Sequence, residues 1–377
     1  AEQFVQDYLT DTTMHEVGHT LGLRHNFRSS RTYSDKQLSD NEFTAKNGLA
    51  GSVMEYAPIN LPRPGETGGT RFQLALGPYD YWAIEYGYKD FAPQFEKPEL
   101  QKIAARSADP LLAYATDEDN ALGYDPEALV FDLGNDPVAF AKKRLDITRD
   151  LIAKQEKRAL KPEDDYAVLR RTVTYAMRDA ARAAGILARQ IGSPRTLRDH
   201  PGSGHNPLVP VAASVQREAL DLLMKNVLSA DAITLSPALQ RKLAPDYQER
   251  GEMAASTDFN AEDLFSGLQR SLLAYLMSDG LSSRLMDNET KIDRVVAKAN
   301  KDSAGDALRV GELHNRLTTA VWSELGSKAD IAPIRRDLQR EHVNRIAIVL
   351  LRPSLASRAD IRSVTRQQAQ QLLSRIS

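Results

Sequence analysis

The chain has 377 residues, 42% apolar and 27% charged, enough material for two domains with real cores. Its 49 basic and 51 acidic residues leave a net charge of −2, so there is no electrostatic case for nucleic acid or an anionic membrane surface as partner. Cysteine is absent, which excludes disulfides and thiolate metal sites, and no run of eighteen apolar residues is present to span a membrane.

The chain opens on polar AEQFVQDYLTD, with no signal peptide in view. It opens on Ala rather than Met, which reads as a processing point or an imposed boundary. Residues 2 to 21 read as one helix. Phe4, Val5, Tyr8, Leu9 and Met14 give it an irregular apolar face, and Gly22 is placed to end it. Residues 26 to 75 are polar and rich in Gly, Ser, Thr and Pro, which predicts irregular structure. GPYDYWAIEYGY, 77 to 88, reads as a short helix with Pro78 at its first position, Asp80 in its first turn and Gly87 at its end. The acidic stretch 108 to 137 predicts loops with short helical pieces. From 138 to 191 the pattern turns helical. PRTLRDHPGSGHNPLVPV, 194 to 211, breaks that rhythm and reads as a small hairpin with arms 195–198 and 208–211. Beyond it, five segments between 214 and 376 carry apolar residues three and four apart, the mark of helices with one buried face. The change of character near residues 90 to 110 divides the chain into a region 1–100 and a mainly helical region 101–377.

One stretch carries chemistry. HEVGHTLGLRH occupies residues 15 to 25. His15 and His19, four apart, share one face of a helix and can share a zinc ion at roughly 2.0–2.1 Å per bond. Glu16 then lies beside the metal, placed to take a proton from a water on it. If Gly22 adopts positive φ, the chain turns sharply and brings His25 back beneath the other two. Three neutral nitrogens leave one coordination position open, as a catalytic zinc requires. A bare HExxH is a common coincidence; Gly22 and His25 at their places make this one far rarer.

GSVMEYAP follows at 51 to 58. Together, HEVGHTLGLRH and SVMEY resemble the metzincin zinc peptidases, in which HExxHxxGxxH is followed by a methionine turn. The resemblance implies that Met54 forms the apolar floor under the three histidines. It also implies that Tyr56 can ligate zinc and swing away to hydrogen-bond the transition state. The plainer readings are a core methionine and a tyrosine whose hydroxyl the backbone satisfies. Over the whole chain, HEVGHTLGLRHNF, SVMEYAP, GPYDYWAIEYGY, DLGNDP, ARQIG and VPVAASVQREAL look like a bacterial met-zincin family of zinc-dependent metalloproteases with a long helical C-terminal region. By that resemblance the fold class is α+β, but predominantly α-helical in the residues present. The first region is then a metzincin C-terminal subdomain with its N-terminal sheet largely missing, and a helical domain follows. Only fourteen residues precede His15, so upstream sequence is expected to complete the fold. The resemblance further implies Zn2+ as cofactor, a peptide or protein substrate, and an extracytoplasmic location.

Other candidates have plainer readings. Asp80 serves either as an acid near the zinc or, better, the first turn of its helix. Asp117, Glu118, Asp119, Asp125, Asp132 and Asp136 match no calcium loop and read as solvated turns. His200, His205, His314 and His342 read as surface or packing residues. Two functions stay open. One is a zinc endopeptidase with His15, His19 and His25 as ligands, Glu16 as general base and Tyr56 assisting at the oxyanion. The other is a zinc-binding but inactive fragment or interaction module that lacks part of the cleft.

Overall fold

The computed structural model describes residues 2–198, 200–202, 204–229, 232–247, 259–292, 307–326, 330–352 and 358–376. The chain forms two compact units: 1–143 with 193–210, and 144–192 with 211–377. The division falls at Lys143 and Arg144, so the change of character seen near residue 100 lies inside the first unit. Backbone bonds show why. The Phe27 N–H donates to the Ala115 carbonyl (2.7 Å), Leu129 N–H to Phe27 (3.1 Å) and Phe131 N–H to Tyr56 (3.0 Å). Those bonds tie the acidic loops to the segments that carry the histidine and methionine motifs.

In the first unit, α1 (Glu2–Thr20) buries only His15 and Gly18 among its described residues. The stretch expected to be irregular contains two short helices, α2 (Asp35–Leu38) and α3 (Asn41–Asn47). Their caps explain them. Ser34 and Gln37 form a reciprocal capping box, and the Asp40 carboxylate accepts from Glu42 N–H (2.9 Å) and Phe43 N–H (3.1 Å). Next comes α4 (Pro78–Tyr88), which runs through Gly87 and stops at Lys89. It is followed by α5 (Pro93–Ala104), joined to α4 by the Trp82 indole N–H on the Ile103 carbonyl at 2.8 Å. The acidic loops hold α6 (Asp117–Leu122), ended by Gly123.

The predicted hairpin is present but shorter. Strands β1 (Pro194–Thr196) and β2 (Leu208–Pro210) pair antiparallel, with Arg195 opposite Val209. It belongs to the first unit because Asp125, buried against the Arg28 guanidinium, accepts from Thr196 N–H (3.2 Å) and the Thr196 hydroxyl. Arg28 in turn donates to the Thr196 carbonyl at 2.6 Å. Among the described residues this hairpin is the only sheet.

The helix α7 (Pro137–Glu156) starts under a cap from Asp136, and its residues from Arg144 onward belong to the second unit. That unit continues with α8 (Ala167–Gln190), α9 (Ala213–Leu223), α10 (Pro237–Gln240), α11 (Ala261–Leu276), α12 (Asp279–Glu289), α13 (Val310–Val321), α14 (Pro333–Leu351) and α15 (Ala359–Ile376). The residues Leu169, Val173, Ala176, Ala180, Ala184 and Leu187 of α8 recur at three and four and are all buried. This face packs on α9 and α11; α11 packs on α14, and α13 and α14 on α15. Among its described residues, one charge lies inside. Arg335 donates to the carbonyls of Ala320 and Val321, both at 3.0 Å, and pairs with Glu324, so its buried guanidinium is satisfied. The chain is therefore predominantly helical, as expected. No helix among the described residues is long and apolar enough to cross a membrane.

Candidate metal centre

The motif sits on the last two turns of α1 and the reversal that follows. Gly22 has φ 81°. Its N–H donates to the His19 carbonyl (3.0 Å), and the Leu23 N–H donates to the Gly18 carbonyl (3.1 Å). These two bonds make a Schellman ending, which needs a residue in the left-handed region at the Gly22 position. The chain doubles back and places His25 against the helix. Ring centroids lie 4.8 Å apart for His15–His19, 4.8 Å for His19–His25 and 5.3 Å for His15–His25.

Each imidazole is oriented through Nδ1. That atom of His15 lies 2.8 Å from the Val53 carbonyl oxygen, that of His19 3.0 Å from the Leu23 carbonyl oxygen, and that of His25 2.8 Å from Asp117 Oδ1. All three partners are acceptors, so each ring donates from Nδ1, which in a neutral imidazole leaves the Nε2 lone pair to a metal. The ligand atoms lie within 4.8 Å of one another. His25 Nε2 is buried with no hydrogen-bond partner. Burial and the neighbouring imidazoles push His15 below the ordinary histidine range, toward the neutral form that binds metal. This donor set fits zinc: three imidazole nitrogens, one of them a buried orphan atom, one short of the four ligands of a tetrahedral site.

Met54 is completely buried. Its carbonyl accepts from Asn26 N–H at 3.0 Å, linking the methionine turn to the residue after His25. A Cβ built on Gly18 would fall 2.3 Å from Met54 Sδ, so α1 packs on Met54 through a glycine, a contact the spacing alone does not announce. Asp80 serves the first turn of its helix, as expected, and also holds the turn at Ser52 and Val53. Its carboxylate accepts from Gly77 N–H (2.8 Å) at the start of α4, and from the Ser52 hydroxyl (2.6 Å) and Val53 N–H (3.0 Å) in the turn. Val53 then accepts from His15, so Asp80 supports a candidate ligand at one remove.

The Tyr56 ring centroid lies 4.5 Å from that of His25 and 5.3 Å from that of His15. It is about two-fifths exposed and stacks on Phe131, whose own backbone is held at φ 61°. Burial, with the charges of Asp117 and Glu16 nearby, pushes the Tyr56 hydroxyl above its ordinary pKa, so it stays a proton donor. Glu16 is exposed on α1 beside His15. Behind Tyr56, Glu55 is buried and accepts from Ser30 N–H (2.9 Å), the Ser29 hydroxyl (3.1 Å) and Tyr56 N–H (3.0 Å). Burial, and then the charge of Asp132, raise its carboxyl well above the usual range.

The acidic loops are solvated only in part: Asp117, Glu118 and Asp136 are exposed as expected, whereas Asp125 and Asp132 are buried. Asp117 holds His25, Glu118 pairs with Arg24 (2.8 Å), and Asp119 pairs with Arg198 (2.6 Å). Asp125 and Asp132 are buried, on Arg28 and the Ser30 hydroxyl respectively. The other histidines stand apart from the cluster as expected: His200 and His205 are exposed, and His314 and His342 are buried in the second unit. Sequence reasoning missed the contact of Gly18 with Met54 and that of Asp117 with His25. Only the unusual glycine between two ligands offered a signal, and nothing marked the aspartate.

A family model described as Met-zincin matches residues 1–329. No curated protein matches the chain, and no solved structure does.

Proposed function

The chain belongs to the Met-zincin family, and from that premise we propose that it is a zinc-dependent endopeptidase whose metal is held by His15, His19 and His25. The observation that carries this reading is the convergence of three imidazoles, each with Nδ1 already engaged. Zinc bound there supplies Lewis acidity toward a water and the scissile carbonyl. Glu16, exposed next to His15 on α1, takes the proton of the attacking water and delivers it to the leaving amine. The Tyr56 hydroxyl, held in its protonated form, donates to the oxyanion that develops on the carbonyl. Asp80 and Met54 keep the floor of the site in place.

A second reading is a zinc-holding interaction module without peptidase activity. It draws on the exposed apolar residues of α1, among them Phe4, Val5, Tyr8 and Leu9. One substitution separates the two. Under the enzyme reading Glu16→Ala keeps zinc at the wild-type level and lowers cleavage of an unfolded protein substrate about 10²–10⁴-fold. Cleavage that survives Glu16→Ala removes the base assignment. A wild-type chain that holds zinc and cleaves nothing supports the module.

A further inference from the structure

The three histidines are not held alike. His15 and His19 stand on α1, and their Nδ1 atoms face neutral backbone carbonyls. His25 lies past the Gly22 reversal, on chain outside any helix, and its Nδ1 faces a carboxylate. The candidate ligand with the least backbone support therefore has the strongest hydrogen-bond partner.

We propose that Asp117 is the positioning residue for the third metal ligand, fixing the rotamer and tautomer of His25 from the first position of α6. This rests on the reading of His15, His19 and His25 as a metal site. The geometry is a short ladder. Consecutive Arg24 and His25 meet consecutive Glu118 and Asp117: both Glu118 oxygens lie 2.8 Å from the Arg24 guanidinium, and Asp117 Oδ1 lies 2.8 Å from His25. The support behind the ladder is fixed. Thr116 and Asp119 form a capping box at the start of α6, Gly123 ends the helix with φ 68°, and Asn120 donates to the Ala128 carbonyl at 2.8 Å. Asp119 also holds Arg198, which lies over the Tyr114 ring. Upstream, Ala115 N–H donates to Asn26 Oδ1 at 3.2 Å, next to the ligand itself. The His25 ring also stacks on Phe27, with centroids 5.0 Å apart. A carboxylate on Nδ1–H keeps the lone pair on Nε2 and strengthens it as a donor. Nε2 is the buried atom that lacks a partner.

The test is zinc affinity by chelator competition, together with the nitrogen shifts of His25 in the metal-free full chain. Asp117→Ala should weaken zinc binding about 10–100-fold and mix the His25 tautomers. Asp117→Asn keeps an oxygen acceptor, so it should hold the Nδ1–H tautomer and recover most of the affinity. Glu118→Ala breaks only the neighbouring Arg24 pair and should bind zinc within about twofold of wild type. Wild-type affinity in Asp117→Ala overturns the proposal, as does an equal loss in Glu118→Ala. So does an Nε2–H tautomer at His25 in the wild-type chain. Failure of the wild-type chain to bind zinc at all instead overturns the metal reading beneath it.

Discussion

Gly18→Ala sets two effects of opposite sign against each other. Gly18 lies inside α1, where replacing glycine by alanine stabilises a helix by about 0.8–1 kcal/mol. The structure opposes that gain. The new Cβ would lie 2.3 Å from Met54 Sδ, against the roughly 3.5–4 Å of an ordinary contact, so the thioether must retreat by more than about 1 Å. Met54 is fully buried, and overpacking such a residue costs about 1–3 kcal/mol. The net is a loss of about 0–2 kcal/mol, too close to zero to decide alone. A double-mutant cycle decides. Met54→Ala alone should cost about 2–5 kcal/mol through the cavity it leaves. With Gly18→Ala added, the new methyl group enters that cavity. The pair should then be about 1–2 kcal/mol more stable than the sum of the single changes. The assay is urea unfolding of the metal-free chain at fixed pH, comparing midpoints and slopes. A stabilised Gly18→Ala with coupling near zero would mean that the helix does not rest on the methionine, and the floor would lose its meaning.

Two pH predictions follow from buried groups. In the second unit, burial pushes His314 and His342 down to about 4, the second helped by the charge of the first. A histidine whose folded pKa lies below its unfolded 6.5 stabilises the fold above pH 6.5, and that contribution is lost as pH falls toward 4. Each contributes on the order of 3 kcal/mol at most, so unfolding midpoints should drop steeply between those pH values and His314→Leu should flatten the drop. An unchanged acid limb in that variant counts against the reasoning. Glu55 shifts the other way: its raised carboxyl contributes stability that is present below the ordinary glutamate range and is lost as pH rises through the folded value. Asp132→Asn removes a repelling charge while keeping an acceptor for the Ser30 hydroxyl, so its melting temperature should gain on wild type as pH rises from 5 to 9. A constant offset between the two curves would contradict this.

Legibility in the sequence followed the range of the interaction. HEVGHTLGLRH was readable because helical spacing and one glycine set its geometry within eleven residues. The second-unit helices were readable because a buried face repeats every three or four positions, as in α8. The helix α5 went unread because Pro93 and Pro98 punctuate it, and proline inside a helix usually marks an end. Asp117 was invisible for a different reason: 92 positions separate it from His25, and no periodicity links them. Asp125 and Asp132 misled because charged residues in a polar stretch read as exposed. Their partners Arg28 and the Ser30 hydroxyl, about a hundred residues upstream, are what allow them to be buried. Met54 was singled out only through the family pattern, since a methionine alone says little.

Metal content reports directly whether His15, His19 and His25 form one metal site. Elemental analysis of the full chain, purified without chelators and dialysed against zinc-free buffer, should find one zinc per chain, and His25→Ala should fall well below that. A wild-type chain without stoichiometric zinc, or a His25→Ala chain that retains it in full, would contradict the account.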